Sequence, residues 1–347
     1  IINKYSINLN HNKVETIDLM KMSLINEKNP FKSPEIFNCL KLLTIEIIVK
    51  KKKINKIYYH GKTHKVHKSL QLFCKKSDLI YSNKKFISTK LEFKFYHFLK
   101  GIIFLLIHFL KNFNLEKNLK DYSKISFFSY FVHFKTTLGQ KFNSNLWGDL
   151  PIYLNLKKKN VNWFHFFVPS NQIRNASLAS NLIKKFNFNQ FENHNFINSY
   201  LTFKNFSLSF YFYLVVFFKN IFLINSNYNF FNNNFSKTNF YYFLQEDFYS
   251  SLFGTTLIYN IMNIFSLNSL LKEIPKQKFG LYIIENQSWE YCLITLWKKY
   301  NHGKLIAYFN SSIRFWDLRY SKNKSDLKLK NENPDFYFIN SKIFEAE

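Results

Sequence analysis

The sequence predicts an α/β fold: a Rossmann-like parallel sheet preceded by a basic N-terminal region of undefined fold. Three observations carry that expectation. From about residue 121, short aromatic and β-branched runs alternate with helix-like stretches, the rhythm of parallel α/β units. Residues 279–309 spell the order strand, helix, strand cleanly. A chain of 347 residues, 47% hydrophobic, also has room for two cores at ~150 residues per domain.

Taken in order, residues 1–120 are Lys-rich and weakly patterned, with a basic run at 50–53 that reads as a solvated face. Residues 121–347 form the predicted Rossmann-like domain. Within it, 125–134 (ISFFSYFVHF) reads as a buried strand and 145–159 as a helix ending on three lysines. A strand at 161–168 is stopped by Pro169, and a helix follows over 171–186. The Asn/Phe-rich stretch at 225–235 reads as a loop, and helical patterning resumes over 240–271 with a break near Gly254. Strands at 279–285, 304–309 and 335–339 and a helix at 288–300 complete the domain, with Ser341 placed to cap a further helix.

Two apolar runs, 101–110 (GIIFLLIHFL) and 207–218 (SLSFYFYLVVFF), fall short of the ~20 residues a spanning helix needs; core packing is the expectation for both, with a place at a membrane surface as the alternative. The chain opens on Ile1 rather than Met, so its true start is expected upstream. The opening residues read as lacking a secretory leader.

Composition limits the functional classes. The net charge is +27, yet arginine occurs only at Arg174, Arg314 and Arg319. Lys, Asn, Phe and Ile are the residues an AT-rich genome inflates, so the bulk charge reads as drift on solvated faces rather than as a nucleic-acid footprint. Three widely spaced cysteines, Cys39, Cys74 and Cys292, fit neither a disulfide framework nor a zinc ribbon, and point to a reducing compartment. Cys292 falls on an apolar helix face and reads as core. His60 and His64 have the i, i+4 spacing of a metal pair, with His67 nearby, but neighbouring lysines and the lack of carboxylates favour basic surface. No metal site is predicted.

Residues that run against the compositional drift cluster near the C-terminus: two of the three Arg lie within 314–319 and three of the five Trp within 289–316. There the sequence reads ENQSWE (285–290), NHGK (301–304) and NSSIRFWDLRY (310–320). Ligands in open α/β sheets bind beyond the carboxyl ends of strands. If the two flanking strands are neighbours, Glu285, Asn310, Ser311 and Arg314 converge on one rim. Gln287 or Ser288 starts the intervening helix, whose free N–H groups favour an anion or a sugar hydroxyl. Glu290 lies one turn inside it, and Trp289 packs or stacks. The plainer alternative is a strand end and helix cap with no ligand.

The block GLYIIENQSWEYCLITLWKKYNHGKLIAYFNSSIRFWDLRY, residues 280–320, resembles the signature of a bacterial surface carbohydrate biosynthesis protein family. That signature runs roughly LYLxENQxWExALxxAWRKxGHGxLIGxxHSTxRFWDLRYF. Looser agreement runs upstream through 127–131, 145–154, 163–168, 247–254 and 275–280. The family is glycosyltransferase-like, with a GT-B architecture of two Rossmann domains.

The resemblance implies that residues 121–347 are the N-terminal, acceptor-side half of such an architecture. The donor-binding half is not in the sequence, so the chain is expected to be a fragment. It implies transfer of a sugar from a nucleotide-sugar donor to a glycan- or lipid-linked acceptor, in the cytoplasm at the inner face of the membrane. Glu285, Glu290 and Asn310 are the candidate catalytic residues. Asn286, Gln287, Trp289, Ser311, Arg314 and Arg319 are the candidate substrate-binding residues, and no cofactor is expected in this chain. Peripheral association with an anionic membrane would suit the lysine excess and the aromatic runs. Two departures stand out: Asn310 replaces the family's His, and Ala307 replaces a Gly. An Asn hydrogen-bonds a hydroxyl but does not shuttle protons, so a non-catalytic glycan-binding relative is one alternative. A basic RNA- or ribosome-binding protein is the other, although no recognisable RNA-binding motif is present.

Overall fold

The computed structural model describes residues 13–83, 94–112, 115–118, 122–132, 142–171, 173–188, 191–221, 231–233, 236–310, 317–321 and 332–339. The chain divides into two compact units, one of Ile1–Ile102 with Phe212–Ile258 and the other of Ile103–Tyr211 with Tyr259–Glu347.

In the first unit, strands β1 (Lys13–Val14) and β2 (Ile17–Asp18) form a short antiparallel pair ahead of helix α1 (Leu24–Glu27). Helix α2 (Ile36–Lys52) leads into β3 (Lys56–Tyr59), α3 (His64–Ser77) and β4 (Ile80–Asn83), and β3 and β4 pair in parallel. The weakly patterned N-terminal region thus contains a βαβ unit. Its α2 is anchored by buried Glu46, which accepts from the Lys237 backbone N–H at 3.1 Å and pairs with Lys50 at 2.8 Å. Lys237 lies on β9 (Ser236–Asn239), which pairs antiparallel with β8 (Asn232–Asn233). Thr63 precedes the first residue of α3, so His60 lies before that helix and shares no helical face with His64. No metal-holding cluster occurs among the described residues.

Along the chain, the divisions fall within helices α4 (Lys94–Asn112), α7 (Phe203–Ile221) and α9 (Thr255–Glu273). Helix α8 (Tyr241–Phe253) directly precedes α9, with Gly254 at the break the sequence marks. No helix among the described residues is long and apolar enough to cross a membrane. The apolar runs at 101–110 and 207–218 lie in α4 and α7, and the expectation of core packing needs correcting. Gly101, Leu105, Tyr213 and Val216 are buried, but Ile103, Leu106, Ile107, Leu110 and Tyr211 are exposed. Each helix is apolar on two sides, and only one side meets a core.

The second unit contains a six-stranded sheet. Its strands are β5 (Ile125–Tyr130), β6 (Val161–Phe166), β7 (Glu192–Phe196), β10 (Phe279–Ile283), β11 (Lys304–Tyr308) and β12 (Phe336–Phe338). All pairings are parallel, in the spatial order β12-β11-β10-β5-β6-β7. Numbered within the sheet this is 6-5-4-1-2-3, the doubly wound Rossmann-like order. Helix α5 (Leu150–Leu156) joins β5 to β6, α6 (Ala176–Phe186) joins β6 to β7, and α10 (Ser288–Lys299) joins β10 to β11.

Period-two alternation sends Phe127 and Trp163 to one face, stacked at 4.4 Å, and Phe128 and Phe164 to the other, stacked at 5.3 Å. The first face packs against Ala179, Ile183 and Phe186 of α6. The second meets Trp297 of α10, edge-on to Phe128. Helix α6 begins where the Asn175 side chain accepts from the Leu178 N–H at 2.9 Å, and ends on Lys184 and Lys185, which complement its dipole.

Helix α5 is shorter than the expected 145–159. Gly148 sits at φ 57°, which turns the chain out of the helical region, and Pro151 lacks the N–H an interior position needs. Strand β7 was not expected at all. The predicted loop at 225–235 and the cap at Ser341 lie largely or wholly outside the described residues.

Candidate functional site

In a doubly wound sheet the crossovers leave the first and fourth strands on opposite sides, opening a crevice beyond their carboxyl ends. Here those strands are β5 and β10, which are direct neighbours. Tyr130 is the last residue of β5, and Glu285 follows β10 by two positions. The Tyr130 hydroxyl donates to Gln287 Oε1 at 2.5 Å, and Gln287 Nε2 donates to Glu285 Oε2 at 2.6 Å. A phenol, an amide and a carboxylate therefore form one chain of hydrogen bonds across the switch point. All three residues are half-buried, so the chain faces the rim rather than the core.

The ENQSWE run is built by local backbone chemistry. Asn286 adopts φ 55°, a left-handed conformation that Asn tolerates better than most residues, and so turns the chain from β10 into α10. Gln287 is the N-cap of α10 and Glu290 its third residue. Buried Glu290 Oε1 accepts the N–H of Glu285 at 2.8 Å and that of Gln287 at 2.9 Å. One carboxylate oxygen thus satisfies two backbone donors and fixes the turn carrying Glu285. The arrangement gives Glu290 a positioning role and leaves Glu285 as the carboxylate at the rim. Glu285 Oε1 has no hydrogen-bond partner among the described residues.

Trp289 is buried beneath this turn, edge-on to Tyr130 with centroids 6.1 Å apart and 4.8 Å from Phe166. It floors the rim rather than offering an open stacking face.

Strands β10 and β11 are neighbours, as convergence on one rim requires. Asn310 follows β11 by two residues and is half-buried, placing it at the same end of the sheet as Glu285. Ser311 and Arg314, with Ser312, lie outside the described residues. Arg319 sits in a short 3-10 turn, Leu318–Tyr320, whose Tyr320 hydroxyl approaches the Ile284 carbonyl at the end of β10. Its guanidinium is gripped by Asp317, with Nη2 to Oδ2 at 2.6 Å and Nε to Oδ1 at 2.9 Å. That pairing, with smaller contributions from Tyr320 and Glu285, holds the Arg319 pKa above its usual value. Arg319 thus belongs to the Glu285 side of the sheet, with much of its hydrogen-bonding capacity already committed to Asp317.

The NHGK run does a different job at the opposite end of the strands. Asn301 takes φ 51° and ends α10, while His302 Nε2 donates to the Leu271 carbonyl at 3.0 Å and Nδ1 accepts from the Gln277 N–H at 3.2 Å. A Cβ on Gly303 would lie 2.3 Å from the Lys278 carbonyl oxygen, so only glycine allows this approach. Trp297 Nε1 donates to the Gly303 carbonyl at 2.7 Å. This run, one of the three that looked functional, is therefore a clamp between α10 and the start of β11. A cavity of about 390 Å³ opens there, lined by Lys278, Lys298, Lys304 and Asp335, on the side of the sheet away from Glu285.

Tyr130 was missed from sequence, where it stands inside the aromatic run 125–134. The only signal was its distance from the start of that strand, and the strand's end could not be placed closely enough to use it.

No protein-family model matches the chain, and neither curated proteins nor solved structures show a match to it.

Proposed function

We propose that this chain is the acceptor-side domain of a glycosyltransferase acting in surface polysaccharide synthesis, with Glu285 as the base. The observation that carries the reading is the Glu285–Gln287–Tyr130 chain at the switch point between β5 and β10. It coincides with the ENQ core of the family-like block.

In this reading the acceptor hydroxyl binds beside Glu285, oriented by Gln287 and Tyr130. Its oxygen attacks the anomeric carbon of the donor as the sugar–phosphate bond breaks, and the nucleoside diphosphate departs with the bonding electrons. The hydroxyl proton passes to Glu285. Arg314 and Arg319 offset phosphate charge on the donor or on a lipid carrier. Asn310 hydrogen-bonds a sugar hydroxyl.

The test, run on a protein in which this chain is joined to a donor-binding domain, is nucleoside diphosphate release from a panel of nucleotide sugars in the presence of lipid-linked and free glycan acceptors. Acceptor-dependent release is expected, and Glu285→Gln should lower it ~100-fold or more, the range for loss of a general base. Equal turnover in Glu285→Gln would sink the assignment. The Asn310 replacement favours one second reading, a non-catalytic glycan-binding relative. It predicts glycan binding with no release from any donor.

A further inference from the structure

We propose that the solvent face of α4 is a docking surface for an anionic lipid bilayer, held in the plane of the membrane rather than across it. Along α4 the buried residues Phe98, Gly101, Leu105 and Asn112 recur on one side. At ~100° per residue, the exposed residues Phe95, Leu99, Ile103, Leu106, Ile107 and Leu110 fall on the other side, in a stripe ~120° wide. Ile103 is 57% exposed and Leu110 71%. An aqueous face would carry polar residues there, so a helix apolar all round implies cover on both sides.

The charge pattern selects the occupant. Helix α4 carries no acidic residue, and exposed Lys100 and Lys111 lie three turns apart along one margin of the stripe. Lys100 Nζ lies 4.2 Å from the Tyr96 ring centroid, so an amphipathic aromatic sits at the same margin. Apolar side chains entering the acyl boundary, with lysines reaching anionic headgroups, are the features of an interfacial helix. A second copy of the chain fits worse, because pairing two such stripes brings lysine margins together without a counter-charge. Helix α7 repeats the pattern: Phe203, Phe210, Tyr211 and Phe218 are exposed, Lys204 and Lys219 flank them, and no acid is present.

This inference stands apart from the glycosyltransferase reading, since vesicle binding needs no sugar chemistry. The experiment is co-sedimentation of the whole chain with phosphatidylglycerol/phosphatidylcholine vesicles and with phosphatidylcholine vesicles alone. Binding is expected to the anionic vesicles, weakening at high salt, and Leu106→Glu with Leu110→Glu should reduce it by at least ~10-fold. Both side chains face solvent, and circular dichroism of the variant checks that it folds. Should that variant misfold, Lys100→Gln with Lys111→Gln removes the charge margin and should weaken binding to anionic vesicles relative to wild type. Equal sedimentation of wild type and folded variants overturns the proposal. So does failure to bind either vesicle, or a dimer in light scattering that Leu110→Glu dissociates.

Discussion

The two halves of the six-stranded sheet flank the same switch point and use polar residues in opposite ways. Strands β6 and β7 bury theirs within the sheet: Asn162, His165, Glu192, Asn193, His194 and Asn195 are all at most 5% exposed. Strands β10 and β11 keep their length mostly apolar and place Glu285, Gln287 and Asn310 just beyond the carboxyl ends, half-buried. The first arrangement is closed to solvent, although His165 Nδ1 and Asn193 Nδ2 lie buried without a hydrogen-bond partner among the described residues. Asn193 and Asn195 bond to Asn118, His165 Nε2 meets His194 Nδ1 at 3.1 Å, and His194 faces Glu192 at 3.6 Å. The second ends on a carboxylate at the rim. Polar residues inside strands therefore mark the structural half, and polar residues just past strand ends mark the half that holds the proposed site.

The largest expected effect tests the closed half. Strand β7 is a sheet edge, and an edge exposes unpaired backbone groups. Asn187 answers this with one side chain, its Oδ1 accepting from the His194 N–H at 2.6 Å and its Nδ2 donating to the His194 carbonyl at 3.0 Å. Asn187→Leu strands both groups and should cost about 3 kcal/mol, given ~1–3 kcal/mol for each buried unsatisfied group. Urea unfolding should show a lower midpoint at unchanged slope. A loss below ~1 kcal/mol would mean that water reaches this edge and the half is not closed.

Next comes the carboxylate that shapes the rim. Glu290→Ala frees the N–H groups of Glu285 and Gln287 and should cost about 2 kcal/mol, while Glu290→Gln, which keeps an acceptor, should stay within ~1 kcal/mol of wild type. Thermal melts of the pair decide it. If Glu290→Gln is as damaging as Glu290→Ala, the negative charge itself matters and Glu290 is more than a cap.

These contrasts explain what the sequence disclosed. Apolar strands were legible because burial on both faces of a parallel sheet demands near-continuous hydrophobic runs, as in residues 279–283. Strand β7 was illegible because its sequence, ENHNF, carries the polarity of a loop while every residue is buried. Only tertiary partners such as Asn118 and Asn187 make that burial tolerable, and no local pattern announces them. In the site, the turn and cap of residues 285–290 were visible because they are local. The Tyr130–Gln287 contact was not, since it joins residues 157 apart and depends on β5 lying beside β10.

A smaller effect follows pH. Burial, reinforced by His194, holds the His165 pKa well below its usual 6.5, so the folded ring stays neutral. Phe131, Phe142 and Trp163 pack around it, and Glu192 lies beyond His194. Below pH ~6.5 the unfolded chain takes up a proton that the folded chain refuses, and stability falls by ~1.4 kcal/mol per pH unit from this residue. The contribution is fully present above that range and is lost as pH drops. Half-buried His108, lowered to about 4, acts with the same sign, so the difference between wild type and His165→Phe isolates His165. Chemical unfolding at a series of pH values should give the variant a shallower acid slope. Parallel slopes would show that His165 can be protonated in place, and that the β6–β7 half admits charge.

The smallest effect tests the rim itself. Gln287→Ala removes both links of the Tyr130–Gln287–Glu285 chain, yet all three groups are half-buried and can turn to water. Because an exchange of this kind nets little, the expected loss of stability is ~0.5 kcal/mol, several-fold below that of Asn187→Leu. Tyr130→Phe should cost no more. The same substitutions should nonetheless weaken acceptor binding, since the amide and phenol orient whatever meets Glu285. Low stability cost with impaired binding is the signature of groups held ready for a ligand. A loss above ~2 kcal/mol would place Gln287 with Asn187 as a closed structural bond, and the contrast between the two halves of the sheet would be gone.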